Sequence, residues 1–168
     1  MNDTRSDKTG AEILIRPICP DDEERLLRFY LNLGDRTFYS YHGRSRNRNA
    51  VITEEKILKQ CHPSKEDLCL VAVHDNEIVG QGALLRMERF QEADYEMAHL
   101  IADAYQRRGI GSLLAKALLA HAGEHWAKKR IVAYTHIVNI GARKLLQKFG
   151  FIFENTECGE MTWIYTVP

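Results

Sequence analysis

Apolar residues are spaced along this chain in two ways. Short β-rich runs occur at Glu12–Arg16 (EILIR), Leu68–His74 (LCLVAVH), Glu77–Met87, Ala93–Ala102, Arg130–His136 (RIVAYTH), Phe151–Glu154 and Met161–Val167. Each predicts a strand, and Asp75-Asn76-Glu77 predicts the turn of a hairpin between the second and third. Helical spacing appears elsewhere. Pro20 and the acids Asp21–Glu24 open a segment with Leu26, Leu27, Tyr30 and Leu31 on one side, and Gly34 is its stop. Thr53 caps a second helix that runs to about Cys61 and is broken by Pro63. A third spans residues 112–128. Asn139 caps a fourth, with Ala142, Leu145, Leu146 and Phe149 inward and Gly150 as its end. Asp35–Asn49 is aromatic and then basic without a clear period, which predicts a loop holding at most a helical turn. The order β-α-α-β-β-β-α-β-α-β-β has hairpins first and βα units later, so it predicts a mixed α/β (α+β) sandwich.

Composition narrows the picture. With 168 residues the chain is long enough for one well-filled core. Residues 12–168 are expected to form that single domain, and the polar residues 1–11 a flexible tail. The formal net charge of zero removes any bulk attraction to nucleic acid or an anionic membrane. Cys19, Cys61, Cys69 and Cys158 form no CxxC pair, which fits a reduced, cytoplasmic setting. No apolar run approaches the roughly 20 residues of a membrane span.

The chemistry concentrates between Glu96 and Leu114 (EMAHLIADAYQRRGIGSLL). An apolar strand, a glycine-bearing turn and a helix follow one another. Such a turn aims bare N–H groups and the positive end of a helix at one spot, which suits a phosphate. Arg107 and Arg108 stand there too. Gln106-Arg107-Arg108-Gly109-Ile110-Gly111 matches Q/R-x-x-G-x-G/A, Asn139 and Ala142 match N-x-x-A, and Lys148-Phe149-Gly150-Phe151 matches K-x-G-F. With these motifs in this order of elements, the chain resembles the GNAT N-acetyltransferase superfamily from Glu12 to Val167. The 36–43 segment, the strand acid and the glutamine-led signature further resemble the branch containing bacterial protein-lysine acetyltransferases.

The resemblance implies a mixed sheet of six or seven strands, splayed between the fourth and fifth and flanked by about four helices. Acetyl-CoA would sit in the splay. Its pantetheine arm would pair with backbone at His99, Leu100 and Ile101. Its pyrophosphate would rest on the N–H groups from Arg107 through Gly109, Ile110 and Gly111 to Ser112, with Gln106 leading the motif and Asn139 contacting the arm or a water. Glu96 corresponds to the acid that deprotonates the acceptor amine in many relatives. A lysine-like amine of pKa about 10.4 costs roughly 4–5 kcal/mol to present neutral at pH 7, so a base has work to do. The family's general-acid tyrosine, seven residues after the capping asparagine, is here Leu146. Tyr134 and His136 are the nearby substitutes. Otherwise the thiolate leaves unaided, which its pKa of about 8.5 permits.

Other features carry less. His121 and His125 share a helix face with Glu124, but this is not H-E-x-x-H, and no metal is expected. Arg44, Arg46 and Arg48 beside His42 form a single short basic run, placed near the substrate mouth or the coenzyme's 3′-phosphate rather than on nucleic acid. Arg36–Gly43 (RTFYSYHG), with three aromatics and a histidine, is expected to wall the acceptor side. The acceptor is a primary amine, on a protein lysine or a small molecule, and a homodimer is compatible with the chain. A non-catalytic acyl-CoA-binding module is the other reading, motivated by Leu146.

Overall fold

The strands of the computed structural model are β1 (Asp3–Ser6), β2 (Glu12–Pro17), β3 (Leu68–His74), β4 (Glu77–Arg86), β5 (Tyr95–Ile101), β6 (Arg130–His136), β7 (Ile152–Glu157) and β8 (Glu160–Thr166). Among the described residues the α-helices are α1 (Glu23–Leu31), α2 (Asp35–His42), α3 (Glu54–Cys61), α4 (Ile110–His125) and α5 (Ile140–Lys148). Residues 2–42, 52–87 and 93–168 are described. The basic run Arg44–Arg48 therefore lies outside the described residues.

All eight strands join one sheet in the order β1-β2-β3-β4-β5-β6-β8-β7. Every neighbouring pair is antiparallel except β5 and β6. β3 and β4 sit inside the sheet with buried residues on both faces, which is why they read as apolar runs without alternation. Asp75 and Asn76, both at positive φ (48° and 63°), close their hairpin. On one face α4 packs through Leu114 and Leu118 directly onto β4. Gly80 and Gly82 allow that approach, since a Cβ at Gly80 would lie 3.3 Å from Leu114 and one at Gly82 3.1 Å from Leu118. Trp163, Met161, Ile131 and Leu146 complete this core. On the other face Leu26, Phe29, Tyr30, Phe38 and Ile57 bring α1, α2 and α3 against Val71, Ala83 and Leu100.

Three expectations need correction. The sheet has eight strands, because the segment before residue 12 adds one: β1 pairs with β2 from Asp3–Ile15 to Ser6–Glu12. The Asp7 carboxylate organises the intervening turn, accepting from the N–H groups of Thr9 (2.7 Å) and Ala11 (3.0 Å) and from the Thr9 hydroxyl (2.7 Å). The segment after Gly34 is the helix α2. Its Thr, Phe, Tyr and Ser residues have weak helix propensity, so tertiary contacts decide its form. Phe38, expected on an acceptor wall, is fully buried in the core. The long helix starts at Ile110, two residues before the predicted position.

Candidate functional site

β5 and β6 pair only at Tyr95–Ile131 and Glu96–Val132, then part. Two bonds fix which edge of β5 faces the opening. The Met87 N–H donates to the Asp94 carbonyl and the Ala102 N–H to the Val79 carbonyl, both at 3.0 Å. Backbone direction alternates residue by residue in a ladder, so Glu96, Ala98, Leu100 and Ala102 bond toward β4. His99 and Ile101 turn their N–H and C=O groups to the opening. Leu100, opposite Gln81, does not, and this departs from the expected three-residue contact.

Side chains alternate as well. Tyr95, Met97, His99 and Ile101 lie on the α4 face, and Glu96 and Leu100 on the face shared with α1 and α2. The His99 ring passes close to Gly111, with Cδ2 4.0 Å from where a Cβ there would stand. Its Nε2 is closed off from solvent without a hydrogen-bond partner among the described residues. Burial pushes its pKa down to about 4, so the ring is neutral.

From β5 the chain makes a short 3-10 turn, Asp103–Tyr105, and reaches α4 through Arg107 at φ +63° and Gly109 at φ +94°. The N–H groups of Ser112 and Leu113 donate to the Gly109 carbonyl at 2.9 and 3.1 Å. Those of Arg107, Arg108, Gly109, Ile110 and Gly111 have no partner among the described residues. The left-handed backbone explains Gly109 by itself. Gly111 is different: a Cβ there would meet Leu145, Ile101 and His99 only at ordinary distances of 3.6–4.0 Å, so the fold does not require glycine. Arg108 lies over the Tyr105 ring at 4.7 Å, and Lys148 Nζ donates to Ser112 Oγ at 3.3 Å. Bare N–H groups, cations and a small residue on the open side fit a diphosphate.

Gln106 is engaged internally. Its Nε2 donates to the Ile101 carbonyl (3.1 Å) and to Thr37 Oγ1 (2.8 Å). Thr37 in turn donates to Asp103 Oδ1 (2.6 Å), and Asp103 Oδ2 accepts from the Gly34 N–H (2.9 Å). This chain of bonds ties the start of α2 to the end of β5. Sequence reasoning singled out neither Thr37 nor Asp103.

Glu96 is half-buried at the point where β5 and β6 part. Burial raises its pKa, and the negative field of Glu160 adds to the rise. The register places Tyr134 and His136 of β6, and Thr162 and Glu160 of β8, on the same face. Tyr134 is 38% exposed. Asn139 caps α5, its Oδ1 accepting from the Ala142 N–H at 3.1 Å. Leu146 faces the core and is 3% exposed. The His121 and His125 rings are 4.3 Å apart, and among the described residues no three metal-ligating side chains converge.

The family model of the acetyltransferase (GNAT) domain matches residues 12–152. The chain belongs to the GNAT acetyltransferase family. It is 26% identical over 169 residues to the acetyltransferase Pat of Mycolicibacterium smegmatis, a match that covers 96% of this chain and 47% of that protein. The chain thus spans about half the length of this curated relative. The GNAT domain of S. lividans PAT superposes with a TM-score of 0.84 at 23% identity, covering 98% of this chain and 96% of that one. The PaiA N-acetyltransferase of Thermoplasma acidophilum, in complex with coenzyme A, superposes with a TM-score of 0.73 at 19% identity, covering 92% and 98%. The open mixed sheet is the fold of these GNAT domains, and acetyl-CoA is the acetyl donor of the family. No helix among the described residues is long and apolar enough to cross a membrane.

Proposed function

We propose that this GNAT domain transfers the acetyl group of acetyl-CoA to a primary amine, on a protein lysine or a small molecule, with both substrates bound at once. The observation that carries this reading is Glu96, a carboxylate of raised pKa at the edge of the opening between β5 and β6. Bound acetyl-CoA would supply an activated thioester. The N–H groups of Arg107 to Gly111 would hold its diphosphate, with Arg107, Arg108 and Lys148 balancing the charge. Backbone of His99 and Ile101 would align its arm as an added strand. Asn139 serves as the α5 cap, and by the family resemblance would also contact the arm or a water.

Glu96 takes the proton that the amine must lose as its nitrogen attacks the acetyl carbon. The raised pKa brings the carboxylate closer to the working pH, where a base is most effective. The C–S bond then breaks and the sulfur leaves as thiolate. Tyr134, on the same face about two residues along the neighbouring strand, is the candidate to return a proton to it. Leu146 has no proton to give.

The test is CoA release with a panel of amines, including lysine-containing peptides. Turnover is expected with at least one amine. Glu96→Gln should lower kcat by about 10²–10⁴-fold and remove the acidic limb of the pH–rate profile. Acetyl-CoA binding without turnover on any amine would favour the non-catalytic acyl-CoA-binding module, which the buried Leu146 supports.

A further inference from the structure

The hairpin turn between β1 and β2 reaches the coenzyme loop. The Lys8 N–H donates to the Arg108 carbonyl at 2.9 Å. The Lys8 side chain then lies along Gly109: its Cγ, Cε and Cδ are 3.4, 3.6 and 3.8 Å from the place a Gly109 Cβ would occupy. Gly109 is the N-cap of α4, so the lysine stem crosses the helix end where the bare N–H groups cluster. Lys8 is exposed, and no ion pair at 4 Å or less joins it to a carboxylate among the described residues. Nor is an ion pair of that length formed by Arg107, Arg108 or Lys148 among the described residues; Arg107 and Lys148 are exposed and Arg108 is half-buried. The nearest acid on this hairpin is Asp7. Its charge is held by the Thr9 hydroxyl and by the N–H groups of Thr9 and Ala11, and it also feels the field of Arg108. In a chain of zero net charge, four cations without ion pairs at one helix end are a local excess that an anion would balance.

We propose that Lys8 is a coenzyme-binding residue, delivered by the added N-terminal strand to the diphosphate of acetyl-CoA. This rests on the reading that the α4 N-terminus holds that diphosphate. The family match begins at residue 12, so Lys8 comes from outside the matched domain. Its position at the N-cap itself selects the diphosphate rather than the 3′-phosphate. Lys8 is remote from Glu96 and acts on binding, not on the chemical step.

The test is calorimetry with CoA and with dephospho-CoA on the full chain, together with acetyl-CoA kinetics. Lys8→Met keeps the stem over Gly109 and the main-chain bond, and removes only the charge. It should weaken both ligands by about tenfold, the factor carried by one charge-assisted hydrogen bond, and raise the acetyl-CoA KM with kcat unchanged. Lys8→Arg should retain tight binding. Lys116→Met, on the exposed side of α4, should bind as wild type. Unchanged affinity in Lys8→Met would overturn the proposal while the wild type still binds CoA. Weakening of CoA alone, with dephospho-CoA unaffected, would overturn the diphosphate assignment. Failure of the wild type to bind CoA would instead overturn the coenzyme site beneath it.

Discussion

At the residue scale, the reactivity of Glu96 is set by what surrounds it. Burial is the larger cause of its raised pKa and Glu160 the smaller. A neighbouring negative charge disfavours ionisation, so Glu160→Gln makes the Glu96 carboxylate easier to form. The acidic limb of kcat/KM should then move to lower pH, and activity below the limb should rise. A limb that stays in place, or moves upward, removes Glu160 from the account of the base. Glu96 was singled out in the sequence by its resemblance to the strand acid of the family, since Asp94 stands at the head of the same apolar run. Glu160 was not: it lies 64 positions away, and only the β6–β8 register brings it to the same face.

Among the elements, α2 shows what local pattern misses. Its own residues argue against a helix, and three outside contacts override them. Phe38 is fully buried against the sheet, Gln106 bonds Thr37, and Asp103 bonds Thr37 and Gly34. Propensity differences of tenths of a kcal/mol per residue lose to such contacts. Thr37→Val keeps the shape and removes two hydrogen bonds at Oγ1. It should cost about 1 kcal/mol locally and speed hydrogen exchange along α2, with little change in β5. Unaltered protection of α2 would mean that the Thr37 bonds do not hold it. The long helix and the central strands, by contrast, were read within a few residues of their ends. Their apolar faces are continuous, and the Gly109 turn that opens the long helix is local in sequence. The backbone direction at Leu100 was not readable in this way, since it depends on pairing with β4.

For the whole molecule, the sheet is two blocks, β1 to β5 and β6-β8-β7, joined at the middle by two residue pairs. Long apolar runs made the strands visible, but β1 was hidden in a polar N-terminal segment whose pairing with β2 owes nothing to hydrophobic pattern. CoA binding to the folded form alone should raise stability by RT ln(1 + [L]/Kd), about 2.7 kcal/mol at a hundredfold excess over Kd. Thermal unfolding should therefore shift upward steadily with CoA concentration; a midpoint indifferent to CoA would mean that CoA does not bind the folded form in preference to the unfolded one. The narrow β5–β6 seam has a further meaning in these terms. The protein by itself leaves its central ladder unfinished, and in the proposed binding mode the donor molecule would act as the missing rung. Supply of acetyl-CoA would then govern two things together: how often the enzyme turns over, and how long it resists unfolding and proteolysis between turnovers.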